Sequence, residues 1–122
     1  MEFSSLVGKT LSDVRNLDDE EIVFTSADGD KFRLYHYQSC CEDVRVESIS
    51  GDLADLIGTP ILMAEEASSN DDPPDVKKPE YPAESQTWTF YKLRTIKGSV
   101  DIRWYGRSNG YYSESVSFNK MD

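Results

Sequence analysis

A chain of 122 residues and 13.9 kDa has the length of one domain and none to spare for a second core. Its net charge of -10 and pI near 4.5 set the surface against nucleic-acid phosphates, so direct nucleic-acid binding is disfavoured. What remains is plain solubility or docking on a basic protein surface. No apolar stretch approaches the ~18–20 residues of a membrane span and the first residues lack the pattern of a secretory leader, so no membrane contact and a cytoplasmic location are expected.

Taken in chain order, residues 10–14 read as a short strand, and Leu17, Asp18, Asp19 and Glu20 as a polar turn. Residues 21–25 and 31–37 then alternate, with Ile22 and Phe24 on one face and Phe32, Leu34 and His36 on another, joined at Asp28-Gly29 as a hairpin. Cys40 and Cys41 follow as adjacent neighbours. Ordinary disulfide geometry disfavours such a bridge, so free thiols are expected.

Residues 44–49 alternate again, and Ser50 stands as N-cap for a helix over residues 51–57 that Gly58 and Pro60 stop. Its length of about two turns requires packing on a sheet. Residues 61–64 read as a buried strand. Residues 68–85 carry four of the five prolines and several acids, the composition of a flexible acidic and Pro-rich loop. Three β-rich runs, residues 86–96, 99–105 and 111–118, complete an antiparallel meander.

The expected fold is therefore mainly β (α+β): one domain over residues 1–122, an antiparallel meander sheet or partly closed barrel with one short helix. Open sheet edges admit a homodimer.

The residues that bear chemistry are few. His36, Cys40 and Cys41 fall short of the four spaced ligands of a structural zinc site, and no third group or oxyanion site accompanies them as a Cys–His nucleophile. No metal and no cofactor are expected. The acids at 18–21, 65–66 and 71–75 read as solvated turns or as a surface imitating phosphate spacing. The most function-like stretch is the run from Arg103 to Glu114. Val100, Ile102 and Trp104 alternate inward there, which aims Arg103 and Tyr105 at the opposite face, beside Tyr111 and Ser113 of a following strand. With Arg107, Asn109 and Arg33 these form the expected binding residues, because guanidiniums beside tyrosines supply charge and flat contact area with few rotors to freeze. Simple cross-strand pairing on a half-exposed sheet is the competing reading.

The strings GKTLSDV, EEIVFTSADGDKFRLYH, SCCEDV, SGDLADLIGTPILMAEE, TWTFYKL and TIKGSVDIRWYGRSNGYYSES resemble a family of small uncharacterised proteins encoded by bacteriophages and prophages. The resemblance spans nearly the whole chain apart from the 68–85 loop and the extreme ends. It implies an accessory protein made in a bacterial host cytoplasm, and no catalytic residue can be carried over from it. With no nucleophile, base and oxyanion set converging, the expected function is non-enzymatic: an anti-CRISPR-like or similar inhibitor that binds a host defence protein. The alternatives are a protein that sequesters a nucleotide signal and an acidic nucleic-acid mimic.

Overall fold

The computed structural model describes residues 1–77 and 84–121. Within them eight strands form two four-stranded antiparallel sheets: β1 (Leu11–Leu17), β2 (Glu21–Ser26), β3 (Lys31–Tyr35), β4 (Asp43–Ser50), β5 (Met63–Ser69), β6 (Ser85–Thr95), β7 (Gly98–Ser108) and β8 (Ser117–Met121). The first sheet has the order β1-β2-β3-β8 and the second β4-β7-β6-β5. Neither closes into a barrel.

Alternation explains why the sheets share a core. Ile22, Phe24, Phe32 and Leu34 from the first sheet and Val46, Leu93, Val100, Ile102 and Trp104 from the second all belong to one buried cluster. Phe3 sits at its centre, with ring centroids 4.7 Å from Tyr91 and 5.3 Å from Phe118. It is carried by a single 3-10 turn, Phe3–Leu6, in which Leu6 is also buried.

Three expectations need correction. The helix over 51–57 is a lone 3-10 turn, Leu53–Leu56, capped by Asp52 rather than Ser50: the Ala54 N–H donates to Asp52 Oδ1 at 2.9 Å. Ser50 is instead the last residue of β4, opposite Asp101. The turn stops after four residues because Ile57 bridges to Leu11 and the Gly58 N–H donates to the Leu11 carbonyl at 2.9 Å, which draws the chain into extended form along β1. Gly51 lies so close to β7 that a Cβ there would collide with the Ser99 carbonyl oxygen.

The meander also ends early. β6 and β7 form a hairpin, with Thr95 opposite Gly98, but the last strand is Ser117–Met121 and pairs with β3 in the other sheet. Glu114 is the cause. It is buried on the core side of β7, where it accepts from Thr87 Oγ1 at 2.8 Å and Ser108 Oγ at 2.5 Å, so residues 109–116 turn away from β7. Finally, β5 runs into the expected loop, with Ser68 and Ser69 opposite Thr89 and Trp88. Residues 70–77 carry no strand, and the rest of that loop, 78–83, lies outside the described residues. Among the described residues no helix is long and apolar enough to cross a membrane.

Candidate functional site

On β7 the inward side chains are Val100, Ile102 and Trp104, and Asp101, Arg103, Tyr105 and Arg107 occupy the outer face, as the alternation requires. Register then fixes their neighbours. On β6, Gln86, Trp88 and Phe90 stand opposite Arg107, Tyr105 and Arg103; on β4, Arg45 stands opposite Tyr105 and Ser48 opposite Arg103.

Trp88 is the unusual member of this face. It is only 3% exposed yet takes no part in the core cluster, so it is buried from the outside. The segment 70–77 supplies the cover. Asp72 Oδ1 accepts from Trp88 Nε1 at 3.1 Å and from Gln86 Nε2 at 3.0 Å, and Gln86 also donates to the Asn70 carbonyl at 2.9 Å. The Tyr105 hydroxyl donates to Gln86 Oε1 at 3.1 Å, and its ring lies 4.5 Å from Trp88.

Arg103 completes the cluster. One edge of its guanidinium holds Glu47, with Nε 2.5 Å from Oε2 and Nη2 3.1 Å from Oε1. The other holds Asp75 through two bonds of 3.0 Å, and the guanidinium carbon lies 5.3 Å from the Trp88 ring centre. Glu47 can reach because β4 bulges between Val46 and Ser48, which inserts Glu47 as an extra residue and turns it toward β7. The electrostatics follow: Arg103 holds the Glu47 and Asp75 carboxyls below their ordinary range, the two acids push the guanidinium up, and burial pushes the Tyr105 hydroxyl up.

The structure divides the expected binding residues. Arg103, Tyr105 and Arg107 share the outer face of the second sheet, with Arg107 exposed. Asn109, Tyr111 and Ser113 lie in the connection after β7 and are not cross-strand neighbours of Tyr105. Asn109 Oδ1 accepts from the Tyr111 N–H at 3.0 Å, Tyr111 is 89% exposed, and the Ser113 and Ser115 hydroxyls meet at 2.7 Å. Arg33 belongs to the other sheet, 3.7 Å over the Tyr35 ring and 3.8 Å from Glu21. Sequence reasoning named neither Trp88 nor Gln86 for the face. The alternation through residues 86–92 was a usable signal for both, whereas nothing local announces Asp72, Asp75 or the bulged Glu47.

The turn at 36–42 is a second polar cluster. The Glu42 carboxylate, 4% exposed, accepts from the Cys40 N–H at 2.8 Å, His36 Nε2 at 3.1 Å, the Ser39 N–H at 3.2 Å and the Gln38 amide. These donors, the Cys40 amide foremost, hold its pKa at about 2. His36 Nδ1 meets the Ser115 carbonyl at 2.7 Å. Cys40 and Cys41 are joined as a disulfide between neighbours, with Cα atoms 3.8 Å apart, in place of the expected free thiols. The turn winds round the Glu42 carboxylate and leaves the two cysteines side by side at its exposed rim. Among the described residues no group of three or more His, Cys, Asp and Glu is placed to hold a metal ion.

The profile of a family described as a domain of unknown function (DUF7448) matches residues 4–118. No curated protein and no solved structure matches the chain. The match covers β1 to β7, the first residues of β8 and the 36–42 turn, and the chain therefore belongs to the DUF7448 family.

Proposed function

We propose that the protein acts by non-enzymatic binding, with the outer face of β4, β7 and β6 as its contact surface. The observation that carries this reading is Trp88, sunk on the solvent side of a sheet between Tyr105 and Arg103. A buried aromatic beside a bidentate guanidinium is the composition of a preorganised recognition site, with most of its rotor freedom already spent on folding. The 36–42 turn supports the non-enzymatic side: Glu42 is held ionised by four donors, both His36 ring nitrogens are engaged, and the neighbouring thiols are tied together.

The finer reading rests on the resemblance to phage and prophage proteins: an accessory protein in a bacterial cytoplasm that inhibits a host defence component by docking on it. Tagged protein is used to capture partners from infected bacterial lysate. Tyr105→Ala and Arg107→Ala each lower capture about tenfold, as hot-spot truncations do, while Tyr111→Ala stays within about twofold. Equal capture by all three variants would remove the outer face from the proposal.

A second reading, nucleotide sequestration, has one observation in its favour. Arg33 stacked on Tyr35 borders an open groove of about 590 Å³ that Glu21, His36 and Tyr37 also line, and such a pair can stack a base. Calorimetry with mono- and cyclic nucleotides tests it. Acidic mimicry is weakened because the Asp72 and Asp75 carboxylates are engaged by Trp88 and Arg103 of the same chain.

A further inference from the structure

The acids that reach Trp88 and Arg103 come from a stretch with no strand and little backbone attachment. Among the described residues, the bonds in which a backbone N–H of 70–77 donates are local ones, Asp71 N–H to Ser69 Oγ at 3.1 Å and Val76 N–H to the Pro73 carbonyl at 3.1 Å. What ties the stretch to the sheet is the Asn70 carbonyl on Gln86 and the two carboxylates, Asp72 on the indole and amide and Asp75 on the guanidinium. Asn70, Asp71, Asp72 and Asp75 make up half of its residues.

We infer that residues 70–77 are a strap occupying the outer-face site in cis, and that the external ligand is an acidic segment of a partner protein whose two carboxylates, three residues apart, displace Asp72 and Asp75. This rests on the outer face being the binding surface and adds the ligand class and its regulation.

The two acids on Arg103 have different standing. Glu47 is fixed by the β4 bulge and belongs to the scaffold. Asp75 rides on the strap, and its side chain is 66% exposed where that of Arg103 is 19%. One edge of the guanidinium is thus permanently filled and the other is held by an exchangeable carboxylate. The indole N–H repeats the arrangement, since its acceptor is also on the strap. A site that selects two carboxylates from its own chain with a bidentate fork and an indole donor selects the same pattern in another chain. The strap has the advantage of tethering, which for a short linker is equivalent to millimolar ligand, so the closed protein resists weak acidic competitors and admits one with further contacts on Tyr105 and Arg107.

The test uses the full chain and a fluorescein-labelled peptide copying residues 69–77. Asp72→Ala with Asp75→Ala frees the site while Glu47 still neutralises Arg103. This variant is expected to bind the peptide at least about tenfold more tightly than the wild-type protein, whose strap competes. Adding Arg103→Ala abolishes binding, and a peptide with Asn in place of Asp72 and Asp75 does not bind. The Trp88 indole N–H resonance shifts in the opened variant and returns when peptide is added. If the double variant is unstable, Asp75→Asn alone gives the same ordering with a smaller gain. The inference is overturned if a folded opened variant ignores the peptide, or if Arg103→Ala leaves binding unchanged. A wild-type dimer that the peptide dissociates would also overturn it, placing the strap of a second copy in the site. Failure here with capture still lost in Tyr105→Ala and Arg107→Ala would remove the strap and leave the binding face standing.

Discussion

Arg33 and Arg103 meet the same kinds of neighbour on different sheets. Each lies on a strand position turned away from the core, each is over an aromatic ring, and each is near a glutamate. Yet the Arg33 side chain is 37% exposed with its acid at 3.8 Å, and that of Arg103 is 19% exposed with two acids at hydrogen-bonding distance. The difference comes from outside the strands. No acid from a distant segment reaches Arg33 among the described residues, whereas the strap and a bulged glutamate converge on Arg103. Strand alternation decides which face a side chain takes, and covering segments decide whether that side chain is a surface residue or part of a built site.

Removing the aromatic partners gives the sharpest contrast. Trp88→Ala is expected to lose about 3 kcal/mol in urea unfolding, because a buried indole and the strap's anchor go together. Tyr35→Ala on the other sheet loses below about 1 kcal/mol. Comparable losses would erase the distinction. The arginines follow at smaller scale. Arg103→Ala leaves Glu47 and Asp75 facing each other without their cation and costs about 1–1.5 kcal/mol, a charged hydrogen-bond value reduced for partial exposure. This is more than an exposed sheet arginine contributes, so a stability control belongs beside every binding measurement on that variant. Arg33→Ala stays at about 0.5 kcal/mol or less.

Acid titration separates the regions without mutation. Glu47 and Asp75 have folded pKa values below their ordinary 4.5 and 3.8, so their contribution is full above those values and is lost as pH falls through the lowered ones. Trp88 fluorescence therefore shifts red on acidification as the strap lets go, and Arg103→Ala flattens that step. The contribution of Glu42 is complete above its ordinary 4.5 and is lost as pH falls through about 2, so Glu42→Gln removes that part of the acid limb. The smallest effects belong to the connection after β7. Tyr111→Ala and Ser113→Ala should change stability by no more than about 0.5 kcal/mol, read by the same urea curves, since neither side chain is buried.

The legible parts of the sequence were those with local causes. Period-two alternation placed Ile22, Phe24, Phe32 and Leu34 inside and turned Arg103 and Tyr105 outward, because the pleat alone dictates facing. The stop signal at 58–60 was real, but the cap is Asp52 and not Ser50, and the contacts of Gly58 and Ile57 with β1 shortened the helix to one turn. Phe3 gave no periodic signal, being a single residue on a single turn. The partner of β8 and the reach of Asp75 to Arg103 depend on chain segments tens of residues apart, where no local pattern carries information. The site was accordingly half visible: Arg103, Tyr105 and Arg107 could be read from β7, whereas Trp88 and Gln86 of β6 were missed and the acids that converge on them gave no local signal.

The pairing of β3 with β8 also sets an order of events during synthesis. Lys31 finds its ladder partner at Met121, so the free edge of β3 stands open until residues 117–121 have been made. The second sheet, whose β6 and β7 form a tight hairpin, is complete before the first. Closing so long a loop slows folding more than it weakens the finished fold, and during that interval the exposed β3 edge is a template for pairing with another nascent chain. A ribosome-stalled chain ending after Ser108 should hence show a protected β6–β7 hairpin beside an exchanging β3, and should aggregate more readily than the full chain.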